Sequence, residues 1–324
     1  MTLDLIVRRL FPTPPGPEVV ADFKRHVRET GQPETWPKIS TDRPPAEGEV
    51  VMLAQEISIN KKRRADGQMA PCAICLPEGS KWINDGSLIW CGATEAVYCI
   101  GPDCSKGDMR RKLAVARNIL SQTEREQREV EYLIDFVVHA DLVLTWIEGQ
   151  EELASDVSAR HKAFAKALPK FRSAISRFIR TGIPAGMLPD GGMVALVSSK
   201  SFLTGGWNIR ADMANVRETF RRFVAEAQGQ PQQWVSALAP SIRREHLRAA
   251  EDAEKLMRLA ADRLHTASLF LRPETFKYLG IISRHADSPT DFTLSWVGTK
   301  ATIIHRDEHW SGRLGSRSPD PLPW

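Results

Sequence analysis

The sequence predicts a mainly α-helical fold with small β elements: a cysteine-bearing β-hairpin module, then a long-helix antiparallel bundle or coiled coil, then a C-terminal β-hairpin. Three observations carry this. Leu113 to Leu144 fits one alternating register of three and four, apolar except at Thr123, Gln127 and Asp141, and Val157 to Phe178 fits another that includes His161, the period that keeps one helix face apolar. All five cysteines fall between Cys72 and Cys104. Phe292, Leu294 and Trp296, then Gly298-Thr299, then Ala301, Ile303 and His305 alternate as two strands around a turn. The length of 324 residues leaves room for two domains, and no internal repeat is visible.

The elements follow in order. Residues 1–48 are a proline-rich arm holding eight of the 21 prolines. One helix fits there, with Val19, Phe23 and Val27 four apart and Gly31 as its stop. The arm reads as a segment that docks or stays mobile rather than as core. A strand over 49–59 leads into the cysteine module, 49–107. Residues 108–181 are the long helices; Gly149 is a candidate break, and Pro169 should kink or reset the second helix. Residues 182–210 are a Gly- and Pro-rich loop or small hairpin. Helices return over 211–272, the β element occupies 273–312, and the tail 313–324 holds little that could pack.

The chemistry concentrates in the cysteines. Cys72-Ala-Ile-Cys75 is followed, after 23 intervening residues, by Cys99-Ile-Gly-Pro-Asp-Cys104. A two-residue spacing lets both thiolates of a tight turn face one tetrahedral Zn²⁺. Asp85-Gly86, between residues 81–84 and 87–90, is a favoured two-residue hairpin turn. The last cysteine precedes a helix start. A knuckle, a hairpin and a ligand at a helix start together resemble a treble-clef zinc finger over residues 70–115, with a C-x4-C second pair where C-x2-C is commoner. Cys72, Cys75, Cys99 and Cys104 are the preferred ligands. Cys91, at the end of a strand, reads as a packed thiol, although with Cys72, Cys75 and either Cys99 or Cys104 it would also make four. A four-cysteine site has no open position, so one Zn²⁺ here would be structural and supply folding energy to a module with little core.

Charge gathers around the same motif. Residues 61–117 hold ten basic and six acidic side chains, so this window alone carries the net +4 of the chain. Lys61, Lys62, Arg63 and Arg64 precede the cysteines; Arg110, Arg111 and Lys112 follow them. Such a local positive field attracts phosphate. Those seven are the candidate nucleic-acid contacts.

Other candidates are weaker. His305 and His309 are four apart but follow a strand pattern and read as a solvated loop, and His139 and His161 as interface or surface histidines. No nucleophile–base–acid set and no phosphate-binding glycine loop is present. No stretch approaches the ~20 apolar residues of a membrane span, and the N-terminus is not a secretory signal. The sequence therefore points to a soluble protein of the cytoplasm or another reducing compartment, binding zinc and nucleic acid without catalysis. Its helices would dimerise or hold a protein partner. The alternative is an interaction scaffold whose zinc is purely structural. A third reading is an enzyme with its site in 182–210 and the C-terminal β element.

Overall fold

The computed structural model describes residues 11–64, 69–75, 81–102, 107–181, 208–285, 288, 291–315 and 317–323. The described residues are mainly helical, with small antiparallel sheets. The chain divides into two compact units, Met1–Arg128 and Glu129–Trp324. No helix among the described residues is long and apolar enough to cross a membrane.

The N-terminal unit is built on a three-stranded antiparallel sheet of β1 (Val50–Ile57), β4 (Gly86–Cys91) and β5 (Ala96–Ile100), with β4 in the middle. Every residue of β4 is buried, as a central strand covered on both faces must be. A two-stranded ribbon pairs β2 (Ala70–Pro71) with β3 (Lys81–Trp82). The hairpin predicted across Asp85-Gly86 is therefore absent: β3 and β4 belong to different sheets. The glycine serves another purpose. A Cβ on Gly86 would sit 2.1 Å from the Trp82 ring, so the position must stay bare for the indole to lie over it. The hairpin that does form joins β4 to β5, with Leu88 opposite Cys99 and Cys91 opposite Ala96.

The proline-rich arm belongs to this core. Helix α1 (Pro17–Thr30) starts on a proline, whose fixed φ suits the first turn. It buries Phe23 and Val27, and Phe23 meets Trp36 edge-on at 5.2 Å. Gly31 ends it at φ 68°, where a Cβ would also lie 2.7 Å from the carbonyl oxygen of Asn60. Helix α2 (Gly107–Val138) adds Met109, Leu113 and Ala116 to the same core.

The boundary between the units falls within α2, whose later turns place Leu133, Phe136 and Val137 in the second core. The predicted break at Gly149 is not used. Helix α2 ends at Val138 and α3 runs from Ala140 to Ala167 straight through Gly149. At the joint, His139 turns its ring back on its own helix: Nδ1 lies 2.7 Å from the Asp135 carbonyl, which also accepts the His139 amide at 3.0 Å. Side-chain competition for a helical carbonyl is a local reason for a jog. Pro169 does reset the chain, opening α4 (Pro169–Thr181). Helix α5 (Ile209–Ala227) is capped by the Asn208 side chain, while α6 (Pro231–Ala237), α7 (Pro240–Phe270) and α8 (Pro273–Arg284) each begin on proline.

The C-terminal β element is a three-stranded meander rather than a hairpin: β6 (Thr293–Val297), β7 (Lys300–His305) and β8 (Glu308–Arg313). Phe164 anchors it to the helices, with ring centroids 5.2 Å from Trp310, 5.4 Å from Phe270 and 6.2 Å from Phe171. The tail also packs. The Gln150 side chain donates to the Asp320 carboxylate at 2.6 Å, and the Trp146 indole donates to the Asp320 carbonyl at 3.1 Å.

Candidate functional site

The two ends of the cysteine motif meet through the backbone. The Cys75 amide donates to the Cys72 carbonyl at 3.1 Å, closing the knuckle, and the Ala73 amide donates to the Cys99 carbonyl at 3.2 Å, pinning the knuckle to β5. Cys72 and Cys99 are buried and Cys75 is half-buried. Burial pushes the Cys99 thiol well above its ordinary value. The neighbouring charges of Cys72 and Glu34 push it further, and the Ile100 backbone opposes them. Cys72 and Cys99 are both buried thiols, the kind of group that a coordinating metal deprotonates outright. Cys104 lies outside the described residues. Among the described residues no three of His, Cys, Asp and Glu gather into a set that could hold a metal.

Strand geometry separates Cys91 from this pair. Successive residues of a strand point to opposite faces. Leu88 and Cys99 share one face of the sheet, and Cys91, three residues from Leu88, shares the other with Ala96. Cys91 and Cys99 cannot meet one ion without breaking the ladder.

The basic residues do not form one patch. Arg64 is a structural ion: its guanidinium grips both Glu34 oxygens at 2.7 and 3.2 Å, donates to the Gly31 carbonyl at 3.0 Å, and is 3% exposed. Arg63 donates to the Arg28 carbonyl at the end of α1. Lys61 and Lys62 remain exposed. Glu34, which Arg64 holds, is also one of the charges that raise the Cys99 thiol. Helix α2 runs beside the end of β5, where Leu113 shares a cavity wall with Ile100. On α2, Lys112 donates to the Ala46 and Gly48 carbonyls at 2.8 and 3.0 Å, tying down the loop before β1. Arg111 pairs with Asp108 in solvent at 3.3 Å.

What α2 and β5 do create is a concave site that charge counting alone missed. A cavity of about 460 Å³ is lined by Ile100, Gly101, Pro102, Arg110, Leu113, Ala114 and Arg117. Arg110 and Arg117 are exposed and have no ion pair among the described residues. Seven residues apart on one helix, they stand ~10 Å apart along its axis, about three ~3.4 Å rises of a nucleic-acid strand. Arg117 was legible as the i+7 partner of Arg110; Gly101-Pro102 as the opposite wall was not.

The histidine pair at the third sheet divides likewise. His305 is buried with Nδ1 3.2 Å from Glu308, whereas His309 is exposed on the other side of β8. Glu308 instead caps α4, accepting the Lys170 and Phe171 amides at 2.7 and 2.9 Å. His161 is buried and His139 sits at the helix joint. Of the 182–210 segment that the enzyme reading joins to the C-terminal β element, residues 182–207 lie outside the described residues. No protein-family model, curated protein or solved structure matches the chain.

Proposed function

We propose that the chain is a non-catalytic nucleic-acid-binding protein whose N-terminal unit is clamped by one Zn²⁺ on Cys72, Cys75, Cys99 and Cys104. The observation that carries the phosphate reading is the cavity between α2 and the end of β5, with Arg110 and Arg117 on its wall. Arginine forks match phosphate oxygens bidentately, and an arginine already paired to a carboxylate would be a poor donor. Arg110 and Arg117 are the contacts on α2, with Arg111, Lys61 and Lys62 as separate outlying charges. Arg64 and Lys112 serve the fold. Zinc supplies the clamp that holds β5 and the start of α2 in place. The backbone hydrogen bond from Ala73 to Cys99, which brings the knuckle to β5, supports that assignment.

Fluorescence anisotropy of zinc-replete protein with labelled single- and double-stranded DNA and RNA tests this. Binding should weaken with salt, and R110E/R117E should lower the log–log salt slope by roughly 2, about 0.9 per lost phosphate contact. R64A should instead lower stability. Absence of binding at ~50 mM salt to all four probes would sink the reading.

One observation favours a protein scaffold instead. Val115 and Ile119, one helical turn apart on α2, are 59% and 61% exposed. In that case self-association or partner capture would survive R110E/R117E and fail with I119D.

A further inference from the structure

The C-terminal unit holds a second pocket, of about 140 Å³, lined by Tyr132, Asp135, Phe136, His139, Phe220 and Glu254. Its walls are aromatic. Phe136 stacks on Phe220 with ring centroids 4.4 Å apart and planes 20° from parallel, and Tyr132 continues the stack 6.4 Å from Phe136. The volume is that of four to five liquid waters at ~30 Å³ each, room for one compact head group.

Tyr132 donates its hydroxyl proton to Glu254 at 2.7 Å, which leaves its oxygen as an acceptor. The other Glu254 oxygen pairs with Arg258. A carbonyl can only accept, so the His139 contact with Asp135 places a proton on Nδ1. The exposed Asp135 carboxylate completes the rim. The field is negative as well: burial raises the Tyr132 hydroxyl above its usual value, and Glu254 and Glu251 raise it further against Arg258. Aromatic walls with a carboxylate rim attract cations.

We propose that this pocket binds an organic cation, the ammonium or guanidinium head of a small molecule or of a basic side chain. A neutral apolar group would fill the same volume without the attraction of the carboxylates at the rim. An anion would meet Asp135 and Glu254 directly.

Isothermal titration of the full chain tests this with three probes: choline chloride, its uncharged isostere 3,3-dimethylbutan-1-ol, and a lysine tripeptide blocked at both ends. Choline or the lysine peptide should bind about tenfold or more tighter than the alcohol, and whichever cation binds tighter identifies the source. D135N, a surface change that leaves the stack intact, should weaken the cation several-fold without moving the alcohol. The proposal is overturned if the alcohol matches both cations, if D135N leaves cation binding unchanged, or if no cation binds up to 50-fold above ~1 mM, the weak end of useful affinities.

Discussion

The two units reach stability by different routes. The C-terminal unit fills its centre with rings from distant parts of the chain: Phe164, Phe171, Phe270, Phe276 and Phe292 with Trp310. The N-terminal unit is a three-stranded sheet with a short ribbon and parts of two helices. It spends core positions on Cys72, Cys91 and Cys99 and buries Arg64 against the half-buried Glu34. The C-terminal unit buries polar side chains too, Gln150 and the pair His305–Glu308 among them, but it holds no cysteine. A core that holds thiols and an ion pair is committed to a geometry and depends on the groups that satisfy them.

The sharpest way to break this comparison is to remove the metal proposed for the N-terminal unit. A structural zinc site contributes on the order of 10 kcal/mol, comparable to the whole stability of a domain. Chelation, or Cys72→Ser, should therefore melt the N-terminal unit and leave the helices of the other largely intact. Calorimetry should show one of two transitions lost, with one zinc per chain measured beforehand by elemental analysis. Two unchanged transitions after chelation, or no bound metal, would remove the zinc from the account.

The converse experiment is Phe164→Ala. Its ring is fully buried against three others, and such truncations cost about 3–5 kcal/mol. For a unit of this size that is roughly 10 °C, on the C-terminal transition alone. A shift of both transitions together would show that the units unfold as one.

The contrast also governed what the sequence revealed. Helical segments of the C-terminal unit were legible because Val157, Phe164, Phe171 and Phe178 obey a local period, and Pro169 marks its reset where a proline must. Strands β6 and β7 announced themselves by alternation. Strand β8 did not, because His309 and Glu308 look like a loop until Glu308 is seen to cap α4. In the N-terminal unit the decisive pairings are long-range. Nothing near Arg64 in the chain predicts Glu34 thirty residues earlier, and nothing around Gly86 announces the Trp82 ring that lies over it. Charge was legible as composition, but which of the basic side chains the fold ties down is set by long-range contacts. The pocket at Tyr132 needs three helices and gave no local signal.

A smaller effect sharpens the account of the C-terminal unit. Burial raises the Glu308 carboxyl, but the Phe171 and Lys170 amides and His305 outweigh it and leave it below the ordinary glutamate value. A carboxyl whose native value is depressed stabilises the fold fully above its unfolded value, ~4.3, and loses that stabilisation as pH falls through the native one. Glu308→Ala should cost about 2 kcal/mol at pH 7, by stripping two helix amides of their acceptor. Urea midpoints should then converge for mutant and wild type as the pH is lowered below 4. A difference that persists unchanged at pH 3 would mean the charge is not what caps α4.

The smallest predicted effect discriminates most finely, because it concerns which cysteines belong together. Cys91 is fully buried, one strand away from Cys99, and in the sequence it stood as an alternative ligand. The ladder makes them opposites: Cys99 shares its face with Leu88 and the knuckle side of the sheet, and Cys91 shares the other with Ala96. Cys91→Ala should accordingly cost only the packing of one small side chain, about 1 kcal/mol, and leave bound zinc at one per chain. Cys99→Ala should lose the metal and with it the N-terminal transition. If Cys91→Ala released zinc while Cys99→Ala retained it, the register of β4 against β5 would have to differ by one residue. A one-residue slip is the change that exchanges the two faces of a strand.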